Sequence, residues 1–166
     1  MRLLPLLFVL PLMACDPTAG GWAPPEQPVP TPEGLLDASD PQAITDIVAR
    51  RGTGFWRRDG FRDPIITVET AGRTWRIEFY GCTEGRACTD LRLLAIKPPG
   101  EEPFEAETIA EWNAERRFGK AWLDEDEQAV LEMNLVMAGG VTRQNFDLAI
   151  DWWLVALKAF HEVFEG

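Results

Sequence analysis

The chain has 166 residues, with 27 acidic against 16 basic, for a net charge of −11. This length fits one domain with room for a sizeable core. The charge repels phosphate backbones and anionic lipid headgroups at long range, which argues against nucleic-acid binding; solubility accounts for it without a partner.

The N-terminus has the form of an export signal. Arg2 supplies a short positive region, and Leu3 to Leu12 an apolar one. That apolar run is about half the length needed to span a bilayer, and Pro5 and Pro11 would break a buried helix. Residues 1–14 are therefore expected to be a signal peptide. Leu12-Met13-Ala14-Cys15 resembles the lipobox of bacterial lipoproteins, in which cleavage leaves the cysteine N-terminal and lipid-bearing. Asp16 after it resembles the inner-membrane retention signal of enteric lipoproteins. The alternative is plain cleavage near Ala14 and a soluble periplasmic product, although Leu12 is larger than such a site favours. Residues 15–39 are rich in proline and glycine, and Trp22 and Val29 are the only large apolar side chains there before Leu35. That composition predicts a disordered tether. The folded domain is expected over residues 40–166.

Within it, Asp40 is a candidate N-cap and Pro41 the first helical residue; Ile44, Ile47 and Val48 repeat at helical spacing. Gly52 is expected to close this helix. "FWRRDGF" allows one short strand before a turn at Asp59–Gly60. "DPIITVE" and "RTWRIEFY" flank Ala71–Gly72 as a hairpin. In its second arm Trp75, Ile77 and Phe79 alternate with polar neighbours, as in a half-buried strand. "TDLRLLAIK" makes another strand, halted by Pro98 and Pro99. "FEAETIAEWNAERR" is helical, with Ile109, Trp112 and Arg116 on one face. "GKAWL" and "AVLEMNLVM" pair across the acidic turn Asp124–Gln128, with Leu131, Met133, Leu135 and Met137 pointing one way. Gly139 and Gly140 end this hairpin, and Thr142 caps a last helix that runs to about Phe164. The order α-βββ-α-ββ-α with tight strand connections predicts an α+β domain, a largely antiparallel sheet of about five strands with helices packed on it.

The last helix is apolar over most of its girth. At 100° per residue, Asp147, Asp151, Lys158, Glu162 and Glu165 fall within an arc of about 60°. A surface helix needs an apolar stripe only a little over 100° wide. This one is expected to bury two faces: one against the sheet, the other against another element, a second subunit or a partner. Trp152, Trp153, Phe160 and Phe164 are its candidate interface residues.

Reactive side chains are few. Cys82 and Cys88 stand six positions apart between two strands, and in an exported domain they read as a structural disulfide. Zinc pairs favour two to four intervening residues and need a second pair, and a redox pair favours Cys-x-x-Cys. A Cys82–Cys88 bridge leaves Cys15 as an odd thiol in an oxidising compartment, and lipid attachment at Cys15 accounts for all three. His161 is the single histidine, which weakens any Ser-His-Asp or Cys-His reading. The acidic run Asp124–Glu127 lacks the glycine and the closing glutamate of an EF-hand loop. Gly139–Gly140 lacks the surrounding glycines or lysine of a phosphate cradle. No catalytic residue, metal ligand or cofactor is assigned.

Three stretches, "FYGCTEGRACTDLRL", "EWNAERRFGKAWLDED" and "LEMNLVMAGGVTRQNFDLAIDWW", together resemble the YbjN-domain family of bacterial proteins, described as sensory-transduction regulators with a fold similar to type III secretion chaperones. The resemblance covers about residues 40–165. It rests on Trp112, Asn113, Arg117, Phe118, Gly119 and Trp122 in their spacing (the family often has Tyr at the last position), and on Gly139 and Gly140 before the Phe146-bearing helix. It implies a non-enzymatic, often dimeric domain that holds a partner on exposed apolar surface. The expected function is an exported binding or regulatory module, tethered to the periplasmic side of the envelope through Cys15, that acts by protein–protein contacts or as a homodimer through its C-terminal helix. The alternative is an envelope enzyme of unrecognised type, a carboxylate-based hydrolase.

Overall fold

A computed structural model of the chain describes residues 32–100 and 103–164. The expected signal peptide, Cys15 and most of the expected tether lie outside the described residues. Nine elements follow in order: α1 (Pro41–Val48), β1 (Thr53–Arg58), β2 (Pro64–Thr70), β3 (Arg73–Tyr80), β4 (Asp90–Lys97), α2 (Ala106–Glu115), β5 (Lys120–Leu123), β6 (Ala129–Val136) and α3 (Arg143–Phe164). The six strands form one antiparallel sheet in the order β1-β2-β3-β4-β6-β5. The fold is α+β, as the strand patterns and turns predict.

The sheet has six strands where about five are expected. The extra one is β1, an edge strand with most of its side chains in solvent, so its sequence lacks the in–out alternation that marks the others. α1 begins as expected: the Asp40 carboxylate accepts the N–H groups of Gln42 at 2.9 Å and Ala43 at 3.1 Å. It ends earlier than expected, at Ala49 rather than Gly52. Gly52 has another duty. A Cβ there would stand 2.1 Å from the Glu69 carbonyl oxygen, so glycine lets β1 begin against β2.

The expected tether also stops short of residue 39. Leu36 exchanges backbone hydrogen bonds with Val141, Ala38 bridges to Cys88, and both side chains are buried. Two apolar residues suffice to pin this arm across the base of the domain. Cys82 and Cys88 are joined in a disulfide that closes the β3–β4 connection, where Ala38 docks. A loop this short gains about 2 kcal/mol in the chain-entropy picture.

All three helices share one layer. α1 packs on β1 and β2, α3 on β4 and β6, and α2 against β5. Their common core takes the alternate residues Ile66, Val68, Trp75, Ile77, Phe79, Leu91, Leu93, Leu131 and Met133 from the sheet. The other sheet face carries a charged ladder: Glu78 accepts from Arg92 at 2.5 Å and from the Tyr80 hydroxyl at 2.9 Å, and stands 2.9 Å from Arg76.

α3 starts as expected, with Thr142 Oγ1 accepting the Asn145 N–H at 3.1 Å. Its buried stripe is Phe146, Ile150, Trp153, Ala156, Leu157, Phe160 and Phe164. The indoles of Trp153 and Trp75 meet at 5.7 Å, tilted by 54°. On the acidic arc, Asp147 accepts from Arg50 and Arg51 at 2.9 Å each, and Asp151 from Arg51 at 2.7 Å. These arginines follow α1, so the pairs clamp the end of α1 to α3. Partial burial pushes the Asp147 carboxyl up, but the Arg51 hydrogen bond and the charges of Arg50 and Arg51 outweigh it and hold the group below its usual range.

A carboxyl lowered in the folded state stabilises the fold above its unfolded value of about 3.9, and that contribution disappears as pH falls through the folded value. The thermal advantage of the native chain over Asp147→Asn is therefore expected to be constant near neutral pH and to shrink below about pH 4. Melting curves across that range test this; an advantage that survives full acidification would show that the clamp is not ionic.

Candidate functional site

α2 and the turn after it carry the residues of the family-like spacing, and each has a local structural cause. Trp112 is buried, with its ring 5.9 Å from Phe160 and 6.4 Å from Phe164, and the Arg116 guanidinium 5.0 Å above it. This stack fastens α2 to α3. Asn113 works at the sheet edge. Its Nδ2 donates to the Ala121 carbonyl at 2.8 Å, and its Oδ1 accepts the Ala121 N–H at 2.9 Å. One side-chain amide thus takes the place of a missing strand and blocks pairing on the free side of β5.

Gly119 makes the turn into β5. Its φ is +78°, and a Cβ would stand 2.8 Å from Leu131 Cδ1 and 3.5 Å from the Ala156 Cβ. Only glycine combines that backbone with so close an approach to the Leu131 side chain of β6. The approach lays the Phe118 ring on Trp152, centroids 4.9 Å apart and planes 27° off parallel, with the Arg117 guanidinium 5.4 Å from Phe118. Trp122 lies in β5 one residue beyond the clasped Ala121. Gly139 and Gly140, at φ of +79° and +81°, turn the chain from β6 toward Val141 and α3.

Between this turn and α3 lies a groove of about 300 Å³. Phe118, Trp152, Val155 and Ala159 form its apolar walls, and Arg116 and Arg117 its rim. Arg116 has one ion pair, 3.4 Å from the neighbouring Glu115. The groove is an open apolar surface with two arginines and one glutamate, Glu115, at its edge.

Of the four expected interface residues, only Trp152 is exposed, at 48%. Trp153, Phe160 and Phe164, expected there too, are instead buried in the core of the domain. The over-apolar helix does have a second face, but a different one. It consists of Leu148, Trp152, Val155 and Val163, each between 44% and 58% exposed. Leu148 and Val155 stand seven residues, two helical turns, apart, so a helical wheel anchored on the buried stripe would have found this face. Arg116, expected on the Trp112 face of α2, lies over that ring and also reaches the rim.

The other acidic and titratable candidates are placed plainly. Asp124 accepts the N–H groups of Asp126 at 3.0 Å and Gln128 at 2.9 Å, so its carboxylate shapes the β5–β6 turn. His161 is half-buried beside Phe160, ring centroids 5.9 Å apart. Among the described residues, no three His, Cys, Asp or Glu side chains stand together as a group that could hold a metal ion.

Residues 40–166 match the model of the YbjN family, described as "Putative bacterial sensory transduction regulator". No curated protein matches the chain.

Removing the edge clasp strands two backbone groups, a loss of about 1–3 kcal/mol. Asn113→Ala is expected to lower the denaturant midpoint accordingly, and Asn113→Asp to do the same because it has no donor for the Ala121 carbonyl. An unchanged midpoint in both would mean that water replaces the clasp without loss.

Proposed function

The chain belongs to the YbjN family, and from that premise we propose that it is a non-catalytic regulatory module that works by holding a protein on the exposed side of α3. The observation that carries this reading is the second apolar stripe, Leu148, Trp152, Val155 and Val163, continuous with the Phe118–Trp152 groove. Single exposed apolar residues are ordinary on any surface; a contiguous patch on one helix, rimmed by arginines, is the usual mark of an interaction site.

The same reading places the module on the outer side of the cytoplasmic membrane, held by lipid at Cys15. Three features support it: the apolar leader, the Leu12–Cys15 sequence, and a Cys82–Cys88 disulfide of the kind that persists in oxidising compartments. The Pro-rich stretch before Leu36 is long enough to hold the domain clear of a bilayer. A triacylated cysteine would anchor strongly, at about 0.8 kcal/mol per buried CH₂. No helix among the described residues is long and apolar enough to cross a membrane.

Two measurements test the two halves. Replacing Cys15 by Ala is expected to move the protein from the detergent-extracted membrane fraction to the soluble one; retention in the membrane would end the lipid-anchor reading. A photo-crosslinking side chain at Val155 is expected to give a discrete protein adduct in cells, abolished by Trp152→Glu, while the same probe at Phe61 gives none. No adduct at Val155, or adducts alike at both positions, would overturn the binding surface.

A further inference from the structure

Trp22 is out of place in a tether. Its neighbours are prolines, glycines and small or polar side chains, with too little apolar area to bury an indole among themselves. Proline-rich chain favours the polyproline II form, with three residues per turn and about 3.1 Å of rise per residue. In that form Trp22, Pro25 and Pro28 stand on one edge, spread over about 19 Å. Such edges dock on grooves walled by aromatic rings, because chain that is already extended loses little freedom on binding.

The outer side of α3 offers such a groove, and it leads to the place where the described chain begins. Asn145, Ala149, Trp152, Ala156, Ala159 and Val163 follow at steps of four, three, four, three and four, which keeps them on one side of the helix. This side edges two hollows. One is the Phe118–Trp152 groove; the other, of about 150 Å³, lies nearer the start of α3 against Leu135, Val136 and Val141. Val141 is the residue whose backbone holds Leu36. Just before that contact the Leu35 N–H donates to the Pro32 carbonyl at 3.2 Å, in a turn where Gly34 has φ of +85°. The chain before Pro32 thus joins the domain beside the head of α3. The eight residues from Pro28 to Leu36 span up to about 25 Å, and Trp152 lies about 14 Å along α3 from Arg143. With Pro28 at Trp152, Trp22 reaches the Ala159–Val163 end.

Charge agrees with this occupant. Residues 16–31 contain Asp16 and Glu26 and no basic residue. At the groove edge Arg116 is taken by Glu115, while Arg117 lies against Phe118 with no carboxylate partner among the described residues. Glu26 stands a third of a turn off the edge formed by Pro25 and Pro28, where a cation on the rim serves it.

We propose that residues 22–31 dock in the Phe118–Trp152 groove of their own chain, with Trp22 and Pro25 against Val155 and Ala159, and that a protein partner must displace them. The inference rests on the α3 face being a binding surface and adds an intramolecular competitor for it. Tethering supplies a local concentration in the millimolar range. A contact that would be weak between separate molecules is therefore enough, and it still yields to a partner of about micromolar affinity.

The test uses the full chain with Cys15→Ser, kept in detergent because of its apolar leader. A photo-crosslinking side chain at Val155 is expected to link to residues 22–31 of the same chain, with a yield that does not change on dilution. Ala159→Trp fills the groove and should abolish the link while circular dichroism stays unchanged. Trp22→Ser should abolish it too, without touching the folded domain. A synthetic peptide of residues 16–32 at millimolar concentration should bind a chain whose residues 16–31 are replaced by Gly and Ser. It should bind the parent chain at least about threefold more weakly. A link that maps outside residues 22–31, a yield that rises with protein concentration, or a peptide that binds both chains alike or neither would each overturn the proposal. A Val155 probe that traps a different protein in cells, but never residues 22–31 in the purified chain, would remove the docked arm and leave the binding surface standing. A probe that traps nothing in either setting would remove both readings.

Discussion

The contact between Trp153 and Trp75 sets the rotation of α3, and most of the molecule follows from that rotation. Both indoles are almost fully buried, 5.7 Å apart, at the centre of the layer between helix and sheet. A buried Trp contributes several kcal/mol, more than any surface pair could offset. With Trp153 turned inward, the 3.6-residue repeat carries Phe146, Ile150, Leu157, Phe160 and Phe164 inward too. The same repeat then places Asp147 and Asp151 beside the arginines that follow α1, and sends Leu148, Trp152 and Val155 outward. A helix apolar over most of its girth cannot bury all of it against one sheet. The exposed stripe is the geometric remainder of the buried one.

The residues between Trp112 and Gly119 show how specific spacing can serve structure rather than chemistry. Trp112 ties α2 to α3, Asn113 closes the edge of β5, and Gly119 brings the turn against Leu131. Each of the three has its contacts within the chain. Yet together they deliver Phe118 to the face of Trp152 and the two arginines to the groove rim. A motif can therefore be demanded by the fold and still shape an exposed surface.

Much of this was legible along the chain. The cap at Asp40, the hairpin at Ala71–Gly72, the alternation through Trp75, Ile77 and Phe79, and the start of α3 at Thr142 all depend on neighbours within a few residues, where local rules hold. The failures were of two kinds. β1 was faint because an exposed edge strand carries no alternation, and Gly52 looked like a helix stop because its real constraint, the Glu69 carbonyl, is far away in sequence. The arm at Leu36 and Ala38 looked like tether because two apolar residues make no pattern; only Val141 and Cys88, brought near by the fold, give them a place.

Trp152 and Trp153 mark the boundary between what sequence and structure decide. Sequence alone determined that the last helix is too apolar for one buried face, because composition and a 100° repeat are local quantities. It could not determine which of two adjacent tryptophans faces inward, since both belong to the same apolar run. Tertiary structure decided that, by packing Trp153 on Trp75 in the core and leaving Trp152 half exposed against Phe118. Burial is a property of what stands opposite, and what stands opposite Trp153 lies on a strand more than seventy residues away.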